Sequence, residues 1–295
     1  MNSSQKLSKV IIPIAGLGTR MLPATKAIPK EMLPIVDKPI IQYIVEEAIE
    51  AGFKEIIFIT HSSKSSVEDH FDTSFELETI LENRVKRSTL KAVQKISKLN
   101  FMIHSIRQGK PKGLGHAIFC AKSIIGSDAF GIMLPDMILE QSNRRNMFQT
   151  MKKNYEKYLT SSILLATAKK NEINKYGIAQ VTRKKSSSEQ VLIQDIIEKP
   201  KIEESPSKFF AVGRYIFSNN FMDYLSKEKP DKLGEIQLTS AISKFVKEGN
   251  KTTGYLYQDR FFDCGDKLGY LKAIVEFGKK DMSIGKDFKK FLRKI

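Results

Sequence analysis

Apolar and polar positions along the first half of the chain follow a rhythm that switches between strand and helix. VIIPIA (10–15) is a short unbroken apolar run, the pattern of a strand buried on both faces. IIQYIVEEAIEAG (40–52) moves to helical spacing: Ile41, Ile44, Val45, Ala48 and Ile49 share one face, and Gly52 stands where a C-terminal cap belongs. EIIFIT (55–60) reads as the next strand, and Ser65 with Glu68 has the spacing of a capping box for a helix through Phe71. Leu77, Leu81, Val85, Leu90, Val93 and Ile96 keep helical spacing across residues 75 to 98. FMIHSIR (101–107), GLGHAIFCAK (113–122) and FGIMLPD (130–136) then add a strand, a helix and a strand. This alternation predicts a parallel sheet covered by helices on both faces.

The second half is less regular. SSILLATA (161–168), YGIAQV (176–181), QVLIQDIIEK (190–199) and FFAVGRYIF (209–217) are strand-like, broken by the polar turn RKKSSSE. Helices are expected near 219–225, 235–248, 267–280 and 286–294, and no internal repeat is visible. The expected fold class is therefore α/β, a mixed and mostly parallel central sheet flanked by helices, with one doubly wound half. The connection between the first strand and first helix holds Gly16 and Gly18 with Pro23, Pro29, Pro34 and Pro39, so it is neither a helix nor a continuous strand.

Composition changes this picture little. With 295 residues, 41% hydrophobic and 28% charged, the chain is long enough to bury a sizeable core. No apolar run reaches membrane-spanning length, and MNSSQKLSK lacks the apolar core of a signal peptide, so a cytoplasmic protein without membrane partners is expected. Cys120 and Cys264 form neither a CxxC pair nor a disulfide framework. The net charge of +16 raises nucleic acid or an anionic membrane as a partner. The lysines are scattered, however, and the chain shows no basic arm, no helix-turn-helix and no aromatic RNA-binding signature, so no nucleic-acid partner is expected.

The chemistry begins in the glycine loop. Gly16 and Gly18 let backbone N–H groups approach a ligand, but GLGTR lacks the third glycine of a dinucleotide fingerprint and is not a phosphate-binding GxxxxGK[ST] loop. Alone it is as readily a sharp turn as a ligand site. Arg20, Lys26 and Lys30 in the same proline-stiffened loop suit a polyphosphate, because arginine grips phosphate oxygens bidentately. Asp136 closes an apolar strand, where an open α/β sheet presents its ligand site. His61, His70, His104 and His116 have no metal spacing and read as structural.

AGLGTRMLPATKAIPKEMLPIVDKPI resembles the signature loop of bacterial UTP–glucose-1-phosphate uridylyltransferases, members of the sugar-nucleotide pyrophosphorylase superfamily. THSSK (60–64), FDTSFELE (71–78), RQGKPKGLGHA (107–117), LPD (134–136), IIEKP (196–200), VGRY (212–215), EIQLT (235–239) and DCGDKLGY (263–270) match that family in order, so the likeness runs from Lys9 to the C-terminal helix. The resemblance implies a Rossmann-like nucleotidyltransferase fold in one domain over 1–295. About 9–137 would form a nucleotide-binding half, and about 138–295 a sugar-binding half with C-terminal helices. It implies that Ala15, Gly16, Gly18, Thr19, Glu31, Gln108 and Gly113 bind the nucleotide, and that Arg20, Lys30 and Lys199 are catalytic. Gly177, Glu198, Lys199 and Gly213 would take the sugar phosphate, with Asp136 and Asp263 holding Mg²⁺. The implied substrates are UTP and glucose 1-phosphate, the products UDP-glucose and pyrophosphate, and the implied assembly a homo-oligomer, dimer or tetramer.

A thymidylyltransferase shares the GxGTR and DKP-like elements, but Glu31 in KEML, THSSK and FDTSFELE favour the uridylyl branch. A non-catalytic nucleotide-sugar sensor could dispense with acidic metal ligands, and both aspartates are present. Two departures stand out against the family: the turn at 182–190 is short, and Ser240 replaces an acidic residue.

Overall fold

The computed structural model describes residues 6–84, 87–97, 99, 101–140, 146–183 and 189–295. Its centre is a nine-stranded sheet made of β1 (Lys9–Pro13), β2 (Glu55–Thr60), β3 (Met102–Arg107), β4 (Phe130–Met133), β5 (Ser161–Thr167), β6 (Gly177–Arg183), β7 (Gln190–Glu198), β8 (Phe209–Phe217) and β9 (Thr252–Leu256). The strands run in the order β3-β2-β1-β4-β8-β5-β9-β7-β6. β1 lies parallel to β2 and β4, and β2 parallel to β3, with Val10 opposite both Ile56 and Gly131. β8 enters antiparallel between β4 and β5, and β7 runs antiparallel to β9 and β6. The structure shows the expected α/β class and a mixed sheet, but the sheet is not mostly parallel: β8 and β7 run antiparallel to their neighbours, so half of the adjacent pairs are antiparallel.

Both sheet faces are covered, and alternation along β1 shows how. Val10 and Ile12 join one apolar cluster and Ile11 joins the other, all three fully buried. Each such side chain contributes about 1.5–3 kcal/mol relative to exposure. The helix Ile40–Glu50 turns Ile40, Ile41, Ile44, Val45 and Ala48 inward, and Gly52 beyond its end has φ 88, a left-handed conformation that glycine adopts without strain.

Several expectations are corrected. The helix after β2 is Ser65–Asp69, capped by Lys64 without a side-chain hydrogen bond, so Ser65 is its first residue and no capping box forms. The helical pattern across 75–98 is two helices, Phe75–Asn83 and Arg87–Ser97; residues 85, 86 and 98 are outside the described residues. Asp136 follows β4 in an elbow rather than ending a strand, because Pro135 cannot donate to a ladder. A helix also lies at Met147–Tyr158, where none is expected; Asn146 accepts a hydrogen bond from the Gln149 N–H as an N-cap, and Phe148, Met151 and Tyr155 are buried at helical spacing. β9 is not expected either, since Lys251-Thr252-Thr253-Gly254 reads as a polar turn. Gly254 is required there: a Cβ would lie 2.7 Å from both Leu165 Cδ1 and Val191 Cγ2. The expected turn at 182–190 falls largely on residues 184–188, outside the described residues.

Candidate active site

The proline-rich loop after β1 folds as three short 3₁₀ turns, Thr19–Met21, Ala24–Lys26 and Lys30–Met32, followed by a pairing of Pro34–Ile35 with Lys38–Pro39. Gly18, at φ 65, makes the first reversal, and its carbonyl accepts from the Met21 N–H and from Thr25 Oγ1 at 2.8 Å. The loop roofs a cleft beyond β1 and β4, the end of an open sheet where ligands bind.

The cleft has two joined parts. One, about 460 Å³, is lined by Ala15, Gly16, Thr19, Lys30, Gln108, Gly113 and Asp136 among others. The other, about 750 Å³, is lined by Thr19, Arg20, Asp136, Tyr176, Gly177, Glu198, Lys199 and Asp263 among others. Thr19, Leu114, Leu134, Asp136 and Glu235 belong to both, so Asp136 stands at the junction.

A small ribbon explains how two carboxylates 127 positions apart meet. Met137–Leu139 pairs antiparallel with Phe261–Asp263, Asp263 opposite Met137, and the Cys264 N–H donates to the Asp136 carbonyl at 2.8 Å. Asp136 Oδ2 accepts from Lys30 Nζ at 2.6 Å. Burial pushes the Asp136 carboxyl up, but the Lys30 ammonium, its hydrogen bond and Arg20 outweigh it and hold the group below the ordinary value. Lys30 is correspondingly raised: burial lowers it, and Asp136 with Glu31 more than compensates. Asp263 behaves oppositely, pushed up by burial and by the negative charge of Asp136 against the opposing Gly265 N–H and Arg20. Two neighbouring carboxylates on opposite sides of their ordinary value, one clamped by an ammonium and one not, make an anion pair that a cation would relieve.

Gly265 keeps the space between them open. A Cβ there would sit 2.8 Å from Arg20 Nη2, 2.8 Å from Asp136 Oδ2 and 2.9 Å from Asp263 Oδ1. Its own N–H donates to Asp263 Oδ1 at 2.9 Å. The signal for Gly265 in the sequence is a glycine two positions after a candidate ligand, in Asp263-Cys264-Gly265. Tyr176, which has no such signal, joins the site as well: its hydroxyl donates to Asp263 Oδ2 at 3.4 Å.

The remaining candidates divide. Gln108 is buried, its Nε2 lying 3.2 Å from the Gly113 carbonyl and 3.0 Å from His116 Nδ1. Gly113, at φ 90, is glycine because Glu235 and Ile236 press against it: a Cβ would lie 2.8 Å from the Ile236 carbonyl oxygen. Gly177 allows close approach of Thr239 Cγ2, 2.7 Å from where a Cβ would be, with Glu198 Oε2 at 3.3 Å. Lys199 has φ 43, an uncommon conformation for a side-chain-bearing residue, and projects with 60% of its side chain exposed.

Glu31, Lys26, Gly18 and Gly213 do not line the cleft. Glu31, expected beside the base, is 1% exposed and pairs with Lys64 at 2.7 Å. Consecutive residues of a 3₁₀ turn point about 120° apart, and with Lys30 facing the cleft Glu31 faces inward. Its carboxyl is raised by burial against the pull of Lys64 and Lys30. Gly213, φ 82, instead backs the cleft: a Cβ would lie 2.9 Å from Cβ of Leu134, which lines both parts.

A model of the nucleotidyl transferase family matches residues 9–280. The chain belongs to that family. It is 45% identical to the UTP–glucose-1-phosphate uridylyltransferase of Haemophilus influenzae over 97% of this chain and 98% of that one. Against the enzyme of the same name from Escherichia coli K12 the identity is 44%, covering 97% and 95%. Among solved structures, the UTP-bound UGPase from Acinetobacter baumannii superposes with a TM-score of 0.91 at 39% identity, covering 98% of this chain and all of that one. Membership fits the nucleotidyltransferase fold expected from the resemblance. Nucleotidyl transferases generally use a divalent metal ion. The donor set fits one: two carboxylates around a gap that a single methyl group would fill, with room beside them for phosphate oxygens.

Proposed function

We propose that the chain is a UTP–glucose-1-phosphate uridylyltransferase, joining UTP and glucose 1-phosphate into UDP-glucose and pyrophosphate. The observation that carries this reading is the continuity of the cleft, with Gly16 and Gln108 at one end, Glu198 and Lys199 at the other, and Asp136 at the junction. UTP would lie with its base near Ala15, Gly16, Gln108 and Gly113, its phosphates running past Thr19 and Arg20. Glucose 1-phosphate would lie near Gly177, with Glu198 toward its hydroxyls and Lys199 toward its phosphate.

A phosphate oxygen of glucose 1-phosphate attacks the α-phosphorus of UTP. The bond from that phosphorus to the α,β-bridging oxygen breaks, and pyrophosphate leaves with the electron pair. The nucleophile is already an anion, so no protein base is needed, and catalysis is positioning and charge neutralisation. Lys199 aligns the nucleophile, while Arg20 and Lys30 neutralise charge on the transferring and leaving phosphates. A Mg²⁺ held by Asp136 and Asp263 would supply further neutralisation and orient the α-phosphate.

The division into a nucleotide half (9–137) and a sugar half (138–295) belongs to the same proposal, as does a cytoplasmic location. The latter is supported by two free cysteines and by the absence, among the described residues, of any helix long and apolar enough to cross a membrane. Exposed Leu268, Leu271, Met282 and Phe291 near the C-terminus support a homo-oligomer. The purified protein, given Mg²⁺, glucose 1-phosphate and either UTP or dTTP, should release pyrophosphate with UTP far faster than with dTTP. Equal rates would refute the uridylyl reading.

A further inference from the structure

Arg214 sits in the middle of β8 inside the apolar run FFAVGRYIF and is the largest fully buried side chain of the described residues. A buried guanidinium needs both a counter-charge and acceptors for its five N–H groups. Arg214 has both. Nε and Nη2 bind the two oxygens of Glu47 at 2.9 and 2.6 Å. Nη2 also donates to the Met137 carbonyl at 2.8 Å, and Nη1 to the carbonyls of Gly213 at 3.2 Å and Leu134 at 3.4 Å.

Leu134 and Met137 bracket the Pro135-Asp136 elbow, which lies between β4 and the strand Met137–Leu139. The Leu134 N–H donates to the Gly213 carbonyl, and the Asp136 carbonyl accepts from Cys264, so the elbow is held on every side. The Arg214 fork spans it from beneath and ties it to Glu47 on the helix Ile40–Glu50. We infer that Arg214, anchored by Glu47, is a positioning residue that fixes the Asp136 elbow so that the carboxylate meets Asp263 across the gap at Gly265. A lysine cannot reproduce this, because a single ammonium cannot span two carbonyls and grip a carboxylate bidentately.

The inference rests on the metal reading of Asp136 proposed above. Its test is Mn²⁺ affinity, measured by water-proton relaxation in the presence of UTP, together with steady-state kinetics and thermal melting. The proteins are wild type, Arg214→Lys, Glu47→Gln and Asp136→Asn. Partners that orient a metal ligand from behind are worth roughly 10–100-fold in metal affinity. Arg214→Lys and Glu47→Gln should weaken Mn²⁺ by that order and lower kcat, with KM for glucose 1-phosphate near wild type. Should Arg214→Lys fail to fold, Glu47→Gln carries the test, since it keeps the side-chain size and one acceptor. Variants that lose only melting temperature, with wild-type Mn²⁺ affinity and kcat, overturn the inference while Asp136→Asn still weakens Mn²⁺. Wild-type Mn²⁺ affinity in Asp136→Asn overturns the metal reading itself, and the inference with it.

Discussion

Gly265→Ala adds one carbon at the point where Arg20, Asp136 and Asp263 converge, at 2.8, 2.8 and 2.9 Å. Ordinary contact is ~3.5–4.0 Å, so each of the three atoms must retreat by roughly 1 Å or the backbone must shift. Retreat is the cheaper course, because all three are ends of side chains and Gly265 is not among the glycines with positive φ. Replacing glycine also restricts the unfolded chain, worth about 0.4–1 kcal/mol toward stability. The fold should therefore survive with little change in melting temperature. The chemistry should not. Retreat moves the Asp136 oxygen that Lys30 holds at 2.6 Å off the position where it faces Asp263. A misplacement of ~1 Å in a reacting assembly costs on the order of 100-fold. That corresponds to about 2.7 kcal/mol of transition-state stabilisation. The assay is pyrophosphate release over a range of Mg²⁺ and UTP concentrations, beside a melting curve. A kcat/KM within about threefold of wild type would show that the gap is not where reacting groups lie. A large loss of melting temperature would show that the backbone, not the side chains, had absorbed the methyl.

Two further outcomes are expected. Lys199→Ala should raise KM for glucose 1-phosphate and lower kcat, since a charged hydrogen bond of this kind is worth about 1.5–3 kcal/mol. Lys199→Gly should lose activity equally yet melt no lower, because it relieves the φ of 43; an effect confined to the UTP constant would put Lys199 on the other substrate. Asp263→Asn should abolish most activity while leaving the metal-free protein as stable as wild type or more so at neutral pH. The raised carboxyl binds its proton more tightly folded than unfolded, so ionising it costs stability that appears as pH rises above the ordinary value and is absent below ~3.9. A variant melting lower than wild type at pH 7 but not at pH 3.5 would contradict that sign.

The α/β rhythm was legible where strands are continuous apolar runs, because β1, β2 and β4 are buried on both faces and tolerate little else. β9 was illegible for the opposite reason. Its first three residues, Thr252, Thr253 and Gly254, are small or polar, and at Gly254 Leu165 and Val191 fill the space a side chain would take. The strand order, with β8 inserted beside β4, is set by contacts between segments far apart, which no local pattern records. The site residues were legible mainly through the family's motifs, and those motifs do not say which way a side chain points. Glu31 and Lys64 lie in two stretches that mark the uridylyl branch, and they turn out to bind each other in the interior. Arg214 had a readable signal that went unused, a charge inside an apolar strand, which must find a partner when buried.

The net charge of +16 suggests a protein built to attract polyanions, yet the cleft takes no share of it. Arg20, Lys30, Lys175 and Lys199 line its two parts, and Asp136, Glu198, Glu235 and Asp263 balance them one for one. A cleft of balanced charge leaves Arg20 and Lys30 to neutralise only part of the charge of two phosphorylated substrates brought against each other, since Lys30 is already paired with Asp136 and Lys199 lies 3.5 Å from a Glu198 carboxylate oxygen. Removing the aspartates would leave a more cationic cleft that binds anions more tightly, but uniform tightening of ground and transition states does not speed the chemical step. On the proposed reading, keeping the aspartates would leave the missing charge to a bound divalent cation. On that reading, a divalent cation held by Asp136 and Asp263 would turn two carboxylates that repel each other into a ligand pair, beside the junction of the two parts of the cleft. The surplus lysines elsewhere on the surface then bear on how fast anions reach the protein, an effect that added salt removes, rather than on what the cleft does with them.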